Sequence, residues 1–165
     1  MCGLSHRALA NRDLETICTF PLNAQELFAF GPKFVFPLTP EQIQLRLEKR
    51  FSPTVIVKDN DKPIAYANLY DINKIELSCY LGNVILSSPY RGQGISQYLL
   101  KIMMAKALEE HKLKKMKLFC HNTNTKALIF YSKNEFIPCG SKLMINQEGQ
   151  KIVSIEMERE LSILQ

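Results

Sequence analysis

The chain has 165 residues, 46% of them hydrophobic and 22% charged, which is the size and balance of one domain, 1–165, able to bury a core without metal or disulfide staples. A total of 21 Lys and Arg against 16 Asp and Glu gives a formal net charge of +5, enough to favour an anionic ligand and too little for a nucleic-acid-binding composition. No window approaches the roughly 18 apolar residues of a membrane span, no apolar run of signal-peptide length follows Met1, and Cys2, Cys18, Cys79, Cys120 and Cys139 are odd in number and widely spaced, so they read as reduced thiols of a cytoplasmic protein.

Taken in order, Ser5 to Leu9 reads as a first strand and Asn11 as the cap of a helical turn running through Cys18. Asn23 with Glu26 three residues on has capping-box spacing ahead of Leu27 and Phe28, and Gly31-Pro32 stops that helix. Thr39 is placed to cap a third helix, with Pro40 at the first helical position and Ile43 and Leu47 turned inward, ending near Arg50. Thr54 to Val57 and Pro63 to Tyr70, separated by the polar turn Asp59 to Lys62, form a hairpin. Glu76 to Leu86 is a strand interrupted by Gly82, where a bulge or a close backbone approach is expected. Ile95, Leu99, Ile102 and Met103 fall at helical spacing in a segment that runs to about His111. Met116 to Cys120 is a strand, Thr125 to Lys133 a helix, and Phe136 to Ile145 and Val153 to Met157 are the last strands, giving a mixed α/β sandwich.

The segment Val84-Ile85-Leu86-Ser87-Ser88-Pro89-Tyr90-Arg91-Gly92-Gln93-Gly94-Ile95-Ser96 joins a buried strand through a glycine-containing turn directly to a helix. Glycines let successive NH groups converge, and the helix start adds about half a positive charge, so the turn suits a phosphate or diphosphate. The bland alternative is a tight loop and nothing more. A dinucleotide fingerprint would need glycine at Gln97, and no Gly-Lys-Ser/Thr of a phosphate-binding loop occurs. His6, His111 and His121 are the only histidines, and no Cys or His pair has zinc-site spacing, so no metal is expected.

Arg91-Gly92-Gln93-Gly94-Ile95-Ser96 resembles the pyrophosphate motif of the GNAT N-acetyltransferase superfamily: Arg or Gln, two residues, Gly, one residue, then Gly or Ala. Ser96 replaces the last small residue. The stretch from Asn124 to Tyr131 and on to Phe136 is similar to the family's Asn-to-Tyr helix and Gly-Phe turn, with Glu135 where glycine is usual and Asn134 able to take the left-handed position. The resemblance implies a three-layer α+β sandwich whose mixed, mostly antiparallel central sheet is splayed between strands 4 and 5 and flanked by helices. It implies acetyl-CoA as cosubstrate, its pantetheine arm pairing with Val84, Ile85 and Leu86 as an added strand and its diphosphate on the amides of Gly92, Gln93, Gly94, Ile95 and Ser96 beside Arg91. Asn124 would bond the pantetheine, and Tyr131 would bind beside the sulfur and protonate the departing thiolate.

The reaction implied is direct acetyl transfer to a primary amine with no acyl-enzyme, the oxyanion facing a strand amide between Val84 and Leu86. The general base the family often carries on this strand has no carboxylate at Tyr80, Leu81, Gly82 or Asn83; Glu76, acting through water, is the candidate. The acceptor is a small-molecule amine or a peptide, with protein amino-terminal or lysine acetylation, or a non-catalytic acyl-CoA sensor, as alternatives. Nucleic acid and membrane are not expected partners, and a homodimer stays open.

Other features have plainer readings. Lys112-Leu113-Lys114-Lys115-Met116-Lys117 reads as solvated charge across a helix end and a strand. Cys120 and His121 are strand neighbours on opposite faces and cannot act as a pair, and Cys79 reads as packing. Phe28, Phe30, Phe34 and Phe36 are either a core plug or a wall of the acceptor site, in which case an apolar or aromatic amine or a peptide amino terminus suits them better than a polyamine.

Overall fold

A computed structural model of the protein describes residues 3–163; Met1 and Cys2 lie outside the described residues. Strands β1 (Leu4–Ala8), β2 (Arg50–Lys58), β3 (Lys62–Asn73), β4 (Ser78–Leu86), β5 (Lys115–His121), β6 (Ile137–Ile145) and β7 (Lys151–Glu160) form a seven-stranded sheet in the order β1-β2-β3-β4-β5-β7-β6. Every neighbouring pair is antiparallel except β4 and β5. Helices α1 (Leu14–Cys18), α2 (Ala24–Phe30), α3 (Pro40–Leu47), α4 (Ile95–Ala105) and α5 (Thr125–Lys133) complete it.

Alternation along the strands divides two cores. Leu69, Cys79, Leu81, Met116, Leu118, Cys120 and Met157 face α4 and α5, where Leu99, Met103 and Tyr131 close over them. Val55, Val57, Tyr66 and Ile85 point the other way, onto Leu14, Ile17, Leu27, Phe30 and Ile43 of α1, α2 and α3. This is the three-layer sandwich expected. Further along the second face, cross-strand pairs such as Lys117 with Glu158 and Phe119 with Glu156 replace the apolar core.

Element starts follow the capping chemistry only in part. Asn23 Oδ1 accepts from the Glu26 amide at 2.9 Å, and the Glu26 carboxylate reaches back to the Leu22 amide at 2.9 Å, a box displaced by one residue. Asn11 does not cap: Asp13 takes the Ala10 amide at 2.8 Å, while Asn11 accepts from Gln44 at 3.0 Å. Thr39 makes no side-chain cap bond, Pro40 does begin α3, and the chain leaves α3 at Leu47 to enter β2 at Arg50. Beyond Ala105, α4 runs on as a π-helical turn, Lys106–Glu110.

The turn after α5 corrects a second expectation. Asn134 keeps a negative φ of −97°, and Glu135 takes the left-handed position at φ 67°. Arg159 steadies it, donating to the Asn134 carbonyl at 2.8 Å and pairing with Glu135 at 3.3 Å. The Glu135 side chain is 80% exposed, so that ion pair adds little, whereas a non-glycine residue in this region costs about 1 kcal/mol. Glu135→Gly is therefore expected to raise the urea midpoint by an amount worth about 1 kcal/mol with an unchanged slope; a lower midpoint would show that the ion pair outweighs the strain.

Candidate active site

β4 and β5 run side by side for only three residues, Ser78 with Lys115, Cys79 with Met116 and Tyr80 with Lys117, and then part. From Leu81 to Leu86 the β5-facing edge of β4, an interior strand, has no strand beside it among the described residues. On the other edge the register jumps from Asn68 opposite Gly82 to Tyr66 opposite Ile85, so that Ala67 faces both Asn83 and Val84. The bulge bends β4 away. Asn83 carries it at φ 52°, in the left-handed region that Asn tolerates better than most side chains. Its amide is anchored at both ends: Nδ2 donates to the Phe30 carbonyl at the end of α2, and Oδ1 accepts from Asn68, both at 2.9 Å. Asn68 also donates to Tyr66 and accepts from Arg50. Gly82, expected at a bulge or a close approach, is the close approach: a Cβ there would lie 2.5 Å from the Arg50 guanidinium and 2.8 Å from the Tyr70 ring.

The parting opens a narrow cleft lined by Leu81, Val84, Ser96, Leu99, Leu100, Met103, Phe130 and Tyr131. Tyr131 is buried among Phe130 and Phe136 edges, and its hydroxyl has no hydrogen-bond partner among the described residues. Burial, with Cys120 adding to it, raises the phenol well above its ordinary pKa, so it holds its proton at neutral pH. Burial pushes the Cys120 thiol up to about 11 and Cys79 to about 12, which leaves neither as a thiolate. Asn124 opens α5, its Oδ1 accepting from the Ala127 amide at 3.3 Å. A larger hollow beside Glu135, Glu158 and Arg159 lies at the turn after α5, away from this cleft.

Past the open end of β4 the chain turns through Gly92 at φ 74° and Gly94 at φ 80° into α4. The amides of Gly92, Gln93, Gly94, Ile95, Ser96 and Gln97 meet no acceptor among the described residues, and Gly92 to Gly94 are exposed. A row of unclaimed donors at a helix start is an anion cradle. Arg91 turns back from it: the guanidinium pairs with Glu26 at 2.8 Å and donates to the Leu86 carbonyl at 3.2 Å, bracing β4 against α2. Cradle and cleft are tied together by Gln97 of α4, which donates to Asn134 after α5 at 2.7 Å.

The model of the acetyltransferase (GNAT) family matches residues 20–136, well over half of the chain. The chain belongs to that family. As a member it is an acetyl-CoA-dependent N-acetyltransferase. No curated protein matches in sequence. Among solved structures, the spermidine N-acetyltransferase of Vibrio cholerae in complex with CoA and spermine is 20% identical, with a TM-score of 0.79 over 98% of this chain and 97% of that one. A point variant of that enzyme gives 0.78 at 17% identity over 98% and 95%, and a chimera of it with hSSAT gives 0.75 at 20% identity over 96% of each chain. At these identities the likeness is one of fold.

In this acetyltransferase Glu76 stands apart from the cleft. It is exposed in the turn between β3 and β4, its amide bonded to Asn73 at 3.0 Å, at the end where β4 and β5 stay paired. Val84 lies six residues beyond Ser78, about 20 Å along the strand. No carboxylate of β4 replaces it. The Phe cluster divides: Phe30 and Phe34 stack at 5.4 Å within the core, Phe36 is exposed, and Phe28 lies 4.8 Å from the His121 ring at the open end of β5. Burial and Lys142 hold His121 below its ordinary pKa. Sequence reading missed Asn68 and Asn83, whose pairing depends on register, and Tyr80, whose hydroxyl donates to Glu156 of β7 at 2.6 Å. Period-two alternation puts Tyr80, Phe119 and Glu156 on one face, a signal available once the strand order is known.

No group of three or more metal-ligating side chains occurs among the described residues, and no helix there is long and apolar enough to cross a membrane. Asn83→Ala removes the bulge's anchor and leaves one Asn68 N–H and the Phe30 carbonyl unpaired. It is expected to cost about 2 to 3 kcal/mol in urea unfolding and to weaken acetyl-CoA binding; a loss below about 0.5 kcal/mol would show that the bulge stands without it.

Proposed function

We propose that the protein transfers the acetyl group of acetyl-CoA to a primary amine by direct attack. The observation that carries this reading is the row of unclaimed amides from Gly92 to Gln97 at the mouth of a cleft that has a protonated phenol inside it. The diphosphate rests on those amides, and the pantetheine arm lies along Val84, Ile85 and Leu86 as an added strand in the gap that β5 leaves. Asn124 borders the arm, and Arg91 steadies the strand end rather than gripping the phosphates.

The amine lone pair forms the new C–N bond while the carbonyl π pair moves onto oxygen, facing a fixed amide dipole between Val84 and Leu86. Collapse restores the carbonyl and breaks the C–S bond, the thiolate takes the Tyr131 proton, and water returns a proton to the phenol as CoA leaves. Cys79 and Cys120, held protonated by burial, are no nucleophiles for an acyl-enzyme.

The acceptor is an amine on an apolar or aromatic frame, or a peptide amino terminus. Arg50 stacks over Tyr70 at 4.1 Å and Lys142 over Phe119 at 4.0 Å, with Lys117 nearby, so cations bracket the aromatic row on the face opposite the cleft. That setting opposes a polycation such as the spermine held by the Vibrio cholerae enzyme.

Calorimetry is expected to give micromolar binding of acetyl-CoA, weakened at least about tenfold by Gly94→Trp, since φ 80° and the cradle both exclude that side chain. Equal binding by the variant would remove the cradle. Tyr131→Phe is expected to lower kcat by about a hundredfold with the acetyl-CoA Kd nearly intact; unchanged turnover would remove the proton donor. Binding with no consumption of acetyl-CoA over a broad amine panel would identify a sensor.

A further inference from the structure

The proton that the attacking amine must lose has no carboxylate to receive it on β4. On the face opposite the cleft, Tyr80 occupies the last rung before β4 and β5 part. Its ring is stacked on Phe119 of β5 at 5.3 Å, with planes 4° apart, and on Tyr70 of β3 at 5.3 Å. Held between the two, the phenol reaches across β5 and donates to Glu156 Oε1 of β7 at 2.6 Å, a short charge-assisted bond. Glu156 is cross-strand partner to Phe119, so carboxylate, Phe119 ring and Tyr80 lie in one row beneath the fork. The chain also makes room for the pair. Gly140 of β6 stands opposite Glu156, and a Cβ there would approach its Oε2 to 3.0 Å.

We propose that Tyr80 and Glu156 form the proton relay of the acetyl transfer, the carboxylate arriving from β7 because β4 has none. The amine arrives as ammonium; one of its protons passes to the Tyr80 oxygen while the Tyr80 proton passes to Glu156 Oε1, which frees the lone pair that forms the C–N bond. The phenol is neutral before and after, and Glu156, with its side chain 22% exposed, releases the proton to water. Tyr80 would touch the amine, and Glu156 acts through it. The alternative is a purely structural cross-strand pair. Burial raises the Tyr80 pKa, and the bond to Glu156 adds to this, so the phenol passes protons on without persisting as phenolate. The charged and titratable groups around the relay are Lys117 of β5 at 3.8 Å from Glu156, Cys139 and Lys142 of β6, Tyr70 of β3, and Arg50 of β2 behind it.

The inference rests on the transfer reading above, and the test separates the two. Wild-type protein, Tyr80→Phe and Glu156→Gln are compared for the acetyl-CoA Kd, for unfolding midpoint and for kcat/KM from pH 6 to 9 on an accepted amine, as is Glu156→Ala with and without added formate. Expected are an unchanged Kd and a loss of about a hundredfold near pH 7 in Tyr80→Phe and Glu156→Gln. In those variants the rate then climbs about tenfold per pH unit as free amine accumulates in solution, and formate restores part of the turnover of Glu156→Ala. A structural pair would shift the midpoint without changing the pH profile or answering to formate. Turnover and profile of Glu156→Gln within twofold of an active wild type would overturn the relay alone. A wild type that binds acetyl-CoA and acetylates no amine would overturn the transfer reading and the relay with it.

Discussion

The central sheet is held apart between β4 and β5, and everything at the site follows from that parting. Backbone pairing alone would continue β4 alongside β5 to Leu86. It stops after Tyr80 because Asn83 adds a residue to the strand and is locked there by Asn68 and the Phe30 carbonyl. A buried amide with both ends satisfied is costly to displace, so the fork is a permanent opening. It exposes an unpaired edge inside a folded domain, which an isolated extended chain can complete.

The two faces of the fork are chemically different. Toward α4 and α5 it is apolar and closed, with Tyr131 buried and protonated, a setting for a thioester and its leaving group. Toward the opposite face, Tyr70, Tyr80 and Phe119 stack in a row under Arg50, Lys142 and Glu156. In the proposed reading, donor chemistry and acceptor chemistry enter from opposite sides of a single sheet. Gly82 and Gly140 are the places where the chain omits a side chain so that neighbours of the row can pack.

Local chemistry made much of this legible in advance. Gly92 and Gly94 before an apolar helix, Asn23 before Glu26, and Asn124 seven residues before Tyr131 are near neighbours along the chain, and each occupies its expected place in the fold. What escaped depends on contacts between distant residues. Glu76 looked attractive by its position on a strand, but strand direction sets it at the closed end of the fork. Glu135 replaced Asn134 in the left-handed turn because Arg159, 24 residues later, steadies that geometry. The Tyr80 to Glu156 bond spans 76 positions and crosses a strand, so no window of sequence could contain it.

The bond from Gln97 to Asn134 joins the start of one helix to the end of the other. It ties the amide row and the Tyr131 phenol to one frame, and under the proposed placement of acetyl-CoA the groove measures its donor by length. An acyl carrier shortened by an atom or two between phosphate and sulfur can satisfy the row or the phenol. Only an arm of full reach engages both together.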